Sequence, residues 1–294
     1  MPACERVPSL TGSEVDLAAT LRSAPLTITG RLLSASNVVF AAVVQGEAAP
    51  DMGRVSTAGP GPGGDSAPVR CVYKPVAGEK PLWDFPGSVL ARHEVAASEI
   101  CRLMGREFVP LAVWREDGPA GPGVVVAWVD EAVSDEVGVF PVDGLPAGWL
   151  PVLRGTDERD REVLVAHRDT PSLAEIAVFD AIINNSDRKA GHLLGQGAAV
   201  RAIDHGVAFH HEWKLRTVLW GFAGRELTTA QRAMVARVVA TVDDPHELAR
   251  SAPSVAMLGE LARSGIATRC HELLHSGVFP QPQAGWPVVP WPLW

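Results

Sequence analysis

Two short runs constrain this chain more than any other feature: Ile183-Asn184-Asn185-Ser186-Asp187-Arg188-Lys189-Ala190-Gly191-His192-Leu193-Leu194, and Ala202-Ile203-Asp204-His205-Gly206. Each sets a carboxylate beside apolar, strand-like residues. Asp187 and Asp204 stand 17 residues apart. That spacing suits a polar loop, a short strand, a turn and a second strand, which carries both carboxylates to one cleft. Two acids placed this way can divide phosphoryl transfer between them, one facing the attacking hydroxyl and the other a metal ion on nucleotide phosphates.

Composition narrows the alternatives. A chain of 294 residues with 47% hydrophobic and 20% charged side chains has room for a large core and a cleft. A net charge of −8 argues against general nucleic-acid binding, which needs a positive footprint. Only four lysines occur, Lys74, Lys80, Lys189 and Lys214, so a lysine within a strand carries information. Cys4, Cys71, Cys101 and Cys270 show no C-x-x-C spacing and read as buried free thiols in a reducing cytoplasm. No secretory leader and no membrane-spanning stretch is evident, so a lipid substrate would require transient membrane contact.

Along the chain, Leu26 to Val44 alternates on both sides of Ser34-Ala35-Ser36-Asn37 and reads as a hairpin. A Gly/Pro/Ala/Ser-rich insertion over 46–68 follows, then a strand Val69 to Pro75 carrying Lys74. A helix is expected between Ser88 and Met104, and strands over Val109 to Trp114 and Val124 to Val129. Thr170 caps a helix Pro171 to Asn184, with proline at its first position. The motif strands come next, then helices from Thr229 to about Val242 and from Val255 to Ser276. The Phe279 to Trp294 tail, rich in proline and tryptophan, reads as docking on the body, with exposure to a partner as the other option. This divides the chain into an extension 1–19, a small lobe 20–132, a large lobe 133–278 and a tail 279–294.

A strand lysine followed by a helix bearing an interior glutamate is the arrangement kinases use to hold phosphates and orient the lysine. Lys74 with Glu94 fits it, and Glu99 is the runner-up; a surface lysine on an edge strand is the plain alternative. The Ser34-Ala35-Ser36-Asn37 turn lacks the glycines of a phosphate loop, so Ser34, Ser36 and Asn37 would act through hydroxyl, side-chain and backbone donors, unless the turn is an ordinary hairpin. His192, His205, His210 and His211 invite a reading as a metal-dependent hydrolase, although their spacing matches no compact ligand motif. Lys214 and Arg216, among aromatic residues, offer either a surface for an anionic substrate or simple packing.

The run from Asn185 to Leu194, followed by Ile203-Asp204-His205-Gly206, resembles the phosphatidylinositol 3-/4-kinase superfamily, in which Asp-Arg-His-x-x-Asn precedes an Ile-Asp-Phe-Gly-like segment. It is also similar to HipA-type and secretory-pathway atypical kinases, and most of all to an actinobacterial phosphatidylinositol 3-/4-kinase-like subfamily of unestablished substrate. The likeness spans roughly Gly30 to Trp220. It implies an α+β, bilobal protein-kinase-like fold, with a small antiparallel β lobe bearing one helix and a larger, mainly helical lobe. It further implies an ATP-dependent phosphotransferase acting on a hydroxyl of a lipid, protein or small molecule, with ATP and Mg²⁺ or Mn²⁺ as cofactors. Asp187 would be the catalytic aspartate, Arg188 the motif arginine and more a brace than a catalyst, and Lys189 a point charge where the motif has histidine. Asp204 would hold the metal, and Lys74 paired with Glu94 would hold the phosphates. His192 takes the place of the metal-binding asparagine, which either turns metal preference toward Mn²⁺ or leaves a nucleotide-binding pseudokinase.

Overall fold

The computed structural model describes residues 12–33, 36–45, 68–87 and 89–294. Ser34, Cys4 and nearly all of the 46–68 insertion fall outside them. The chain forms two compact units: one holds Ala96–Val109 and Val129–Trp294, and the other holds Pro110–Trp128 with the described residues up to Val95.

The β-rich unit contains five antiparallel strands: β1 (Leu26–Arg31), β2 (Phe40–Val44), β3 (Val69–Pro75), β4 (Ala112–Arg115) and β5 (Gly123–Ala127), in the order β1-β2-β3-β5-β4. Alternation on β3 sends Cys71, Tyr73 and Pro75 inward. Lys74 therefore lies on the opposite face, a direct consequence of the two-residue strand period. Gly123 pairs with Pro75, and a side chain there would collide with the Lys74 carbonyl, so glycine lets β5 close on β3 beside the lysine.

A helix not expected from the sequence, α1 (Gly12–Ser23), straddles residue 19, where the expected extension ends, and belongs to this unit. Its Ala18 and Leu21 are buried with Val44, Cys71, Tyr73 and Val125. The buried Arg115 side chain donates to the carbonyls of Leu21 (3.4 Å) and Ala24 (2.6 Å), satisfying acceptors left open at the helix end. Helix α2 (Leu90–Leu103) starts here and passes the unit boundary after Val95. The Glu79 carboxylate caps its start, accepting from the amides of Leu90 (3.0 Å) and Ala91 (2.7 Å).

The second unit is larger and mainly helical, but it also contains a three-stranded antiparallel sheet that was not expected from the sequence: β6 (Val137–Pro141), β7 (Trp149–Thr156) and β8 (Glu162–Arg168), with β8 central. Helix α3 (Pro171–Ile183) follows. The Thr170 hydroxyl accepts from the Leu173 amide (3.3 Å), Pro171 occupies the first turn, and Asn184 ends the helix at φ 54°. Leu173, Ile176, Phe179, Ile182 and Ile183 are all fully buried, and burial runs unbroken from Ile176 to Ile183, so α3 is a core helix rather than an amphipathic one.

The motif strands β9 (Leu193–Leu194) and β10 (Arg201–Ala202) pair antiparallel. Helix α4 (Thr229–Val242) opens with a reciprocal capping box between Thr228 and Gln231. Short helices α5 (Pro245–Ser251) and α6 (Pro253–Ala256) precede α7 (Glu260–Ser276). The expected single helix from Val255 is thus two helices, separated at Met257 to Gly259. Cys71, Cys101 and Cys270 are free and buried, and burial pushes their thiols up to about 11, 12 and 12 respectively. Among the described residues no helix is long and apolar enough to cross a membrane.

Candidate active site

Asp180, the one acid of α3 that is fully buried, organises the loop that follows. Its two oxygens accept a bidentate pair from Arg188, Nε to Oδ2 and Nη2 to Oδ1, both at 2.9 Å, with both side chains fully buried. The rest of the guanidinium reaches the second motif: Nη1 donates to the Ile203 carbonyl (3.0 Å), and Nη2 stands 2.8 Å from Nε2 of His205. Arginine can only donate, so that histidine nitrogen is an acceptor. Arg188 therefore ties the Asp187 loop to the Asp204 loop and has no exposed surface to offer a substrate. Its place among the catalytic residues is corrected on this ground: it is a brace.

Neighbouring asparagines complete the frame. Asn185 donates to Asp180 (2.9 Å) and accepts from the Asp187 amide (3.0 Å), fixing the backbone at Asp187. Asn184 donates to the carbonyls of His210 (2.8 Å) and Glu212 (2.6 Å) and accepts from the Lys214 amide (2.9 Å). The sequence reading assigned roles to neither asparagine nor to Asp180. The available signal was a carboxylate set among Val178, Phe179, Ala181 and Ile182 in a mainly apolar helix, which requires a buried cation as partner.

Asp187 is half-buried, with Lys189 Nζ 3.1 Å from its Oδ2. Burial raises its pKa above the ordinary aspartate value; Lys189 opposes the shift, and the charge of Asp204 adds to it. The β9–β10 register, Leu193 opposite Ala202, sets His192 beside Ile203, whose amide donates to the His192 carbonyl (3.0 Å). Asp204 then takes a left-handed backbone, φ 61°, and its half-exposed carboxylate faces the imidazole, Nε2 to Oδ2 3.5 Å. Burial depresses the His192 pKa to about 4 despite Asp204, so the ring is neutral near pH 7.

A separation of 3.5 Å is long for a hydrogen bond. It suits two ligands of one cation, because donors about 2.1 Å from a shared ion stand roughly 3–4 Å apart. A neutral imidazole is also the ligating form. The Asp204 and His192 pair thus fits a divalent ion, and a mixed nitrogen and oxygen donor set favours Mn²⁺ over the oxygen-seeking Mg²⁺.

The histidines proposed together for a hydrolase site occupy three separate surroundings. His205 lies under Arg188 and against Phe179, His192 faces Asp204, and His210 and His211 stack on each other (4.6 Å between ring centroids) beside Glu212. Lys214 is buried, with Nζ 4.6 Å from the centre of the Trp286 ring, and the Arg216 Nε donates to the Ser186 carbonyl (2.5 Å). Both cations thus have partners within the fold.

In the β-rich unit Lys74 forms a direct ion pair with Glu94, whose side chain is largely buried. Glu94 lies on α2 between Ala91 and Val95, which pack with Ala112 and Val124. Glu99 instead accepts from the amides of Ser254 (2.9 Å) and Val255 (3.0 Å), capping α6 within the helical unit. Of the turn residues, Ser36 is exposed, and the Asn37 side-chain oxygen accepts from the Lys80 amide (2.9 Å), which leaves its amide group as the donor.

Together these features define a kinase-like fold of mixed α and β structure. The chain is similar to the crystal structure of the Golgi casein kinase (TM-score 0.53, 12% identity, covering 91% of this chain and 75% of that one). It is comparably similar to that kinase with Mn/ADP bound (0.52, 12%, 89% and 74%) and to hydra Fam20 with sugar (0.53, 13%, 88% and 86%). At such identities the likeness is one of fold. By sequence, the chain belongs to the family of Protein Rv2133c of Mycobacterium tuberculosis, with which it shares 38% identity over 286 residues, 93% of this chain and 94% of the relative. No protein-family model matches it.

Proposed function

We propose that this chain is an ATP-dependent phosphotransferase that moves the γ-phosphate to a hydroxyl. The observation that carries the reading is the pair of loops joined by Arg188, one presenting Asp187 with Lys189 and the other Asp204 with His192. Asp187 orients the acceptor hydroxyl and takes its proton as the oxygen bonds to the γ-phosphorus. The bond to the bridging β–γ oxygen breaks, and ADP leaves. Lys189 serves as a point charge toward the transferring group. Lys74, held by Glu94, binds the α- and β-phosphates, with Ser34, Ser36 and Asn37 as further donors. Asp204 and His192 are the residues that would hold Mg²⁺ or Mn²⁺, and a bound ion neutralises charge on the β- and γ-phosphates.

The binding of Mn/ADP by a structural neighbour supports the choice of cofactors. The motifs support a phosphatidylinositol 3-/4-kinase-like chemistry, with a lipid, protein or small-molecule hydroxyl as acceptor. His192 in the asparagine position supports a second reading, a pseudokinase that binds nucleotide without turnover. ATP-to-ADP conversion in Mg²⁺ and in Mn²⁺ separates the two. Phosphotransfer predicts turnover favoured by Mn²⁺, and His192→Asn shifts the preference toward Mg²⁺. Nucleotide binding without conversion in either metal selects the pseudokinase, and absence of nucleotide binding rejects both.

A further inference from the structure

The segment from Trp286 to Trp294 lies directly on the loop that carries Asp187. The Ala190 amide donates to the Leu293 carbonyl (2.8 Å), one residue beyond Lys189. The Val288 carbonyl accepts twice, from the Thr217 amide (3.2 Å) and from the Trp220 indole (2.5 Å). The Trp286 ring lies against two cations, 4.6 Å from Lys214 Nζ and 5.6 Å from Arg216 Cζ. Val288, Val289 and Leu293 pack on the main core, and Pro290 is buried.

These contacts bear on the loop from two sides. At one edge the segment holds Ala190 itself. At the other it holds Arg216 and Thr217, which in turn hold the loop: the Arg188 amide donates to the Arg216 carbonyl (3.0 Å), the Arg216 amide to the Asn185 carbonyl (3.0 Å), and the Val218 amide to the Arg188 carbonyl (3.1 Å). Asp187 and Lys189 thus sit between two anchors, and both anchors depend on one short segment. The residues leading into it, 281–285, are exposed.

We infer that residues 286–294 form a positioning strap, which sets the Asp187–Lys189 stretch for phosphoryl transfer without touching the reacting groups. This rests on the phosphotransferase reading above. Because misplacement of a catalytic group costs rate more than binding, release of the strap should lower kcat by about tenfold or more while leaving the KM for ATP within about twofold.

The test inserts a site for a sequence-specific protease between Gln283 and Ala284, so that the protein folds intact and the strap is cut and removed afterwards. The expected result is a fall in kcat with unchanged nucleotide affinity, faster hydrogen exchange at the Ala190 and Thr217 amides, and recovery on adding a synthetic peptide of residues 284–294. Trp286→Ala should reproduce part of the loss, and Trp286→Phe, which keeps a ring for both cations, should restore it. Unchanged kcat after removal overturns the strap, as does a loss accompanied by global unfolding or lost nucleotide affinity. Should the intact protein show no turnover, the phosphotransferase reading fails, and hydrogen exchange alone judges the strap: local deprotection at Ala190 supports it, unchanged protection refutes it.

Discussion

Burial lifts the Asp187 carboxyl above the ordinary aspartate value, Lys189 opposes that shift without cancelling it, and the charge of Asp204 adds to it. A stronger base is what proton acceptance from a hydroxyl requires. The sign of the pH dependence follows: activity needs the carboxylate, so it falls as pH drops through this raised value. Lys189→Met removes the opposing cation and should move the acidic limb of the kcat/KM profile to higher pH, measured over about pH 4 to 8. A limb that stays in place or moves to lower pH would contradict the assignment of Asp187 as base. His192, already neutral above about pH 4, contributes no limb near neutrality.

At the scale of elements, α3 and the loop after it act through one buried pair. Removing either partner of Asp180 and Arg188 strands a charge in the core, so Arg188→Met should destabilise the protein by about 3–5 kcal/mol, read by denaturant unfolding. A cost below about 1 kcal/mol would show that the pair is not the brace described. In the β-rich unit, Glu79→Ala removes the cap of α2 and should cost about 1 kcal/mol. Because Glu94 rides on that helix, the same variant should weaken ATP binding, measured by titration calorimetry.

The elements also differ in how far they could be read from sequence. Helix α3 announced itself through Thr170, Pro171 and a mainly apolar run, and the β9–β10 hairpin through its motifs. The β6–β8 sheet was hidden because its strands lack clean alternation: β6 contains Gly138 and Pro141, and β7 contains Pro151, where the register slips. Helix α1 was hidden because only a narrow stripe, Leu17, Ala18 and Leu21, packs inward. The brace was half legible. Arg188 was named, but its partner Asp180 lay inside a helix that reads as apolar. The reason Glu94, not Glu99, pairs with Lys74 lies in tertiary contacts: Glu99 is used by the amides of α6, which lie more than 150 residues away in sequence.

For the molecule as a whole, the proposed function gives different work to the aspartates of the two motif loops. In that proposal Asp187 acts in chemistry, while Asp204, with His192, acts in metal-dependent nucleotide binding. The most direct test compares Asp187→Asn and Asp204→Asn, each assayed for Mn²⁺-dependent ATP affinity and for phosphate transfer. Asp187→Asn should bind ATP within about threefold of the parent and lose turnover by about 100-fold or more. Asp204→Asn should lose the Mn²⁺-dependent part of the affinity together with turnover. Normal turnover in either variant would contradict the central claim.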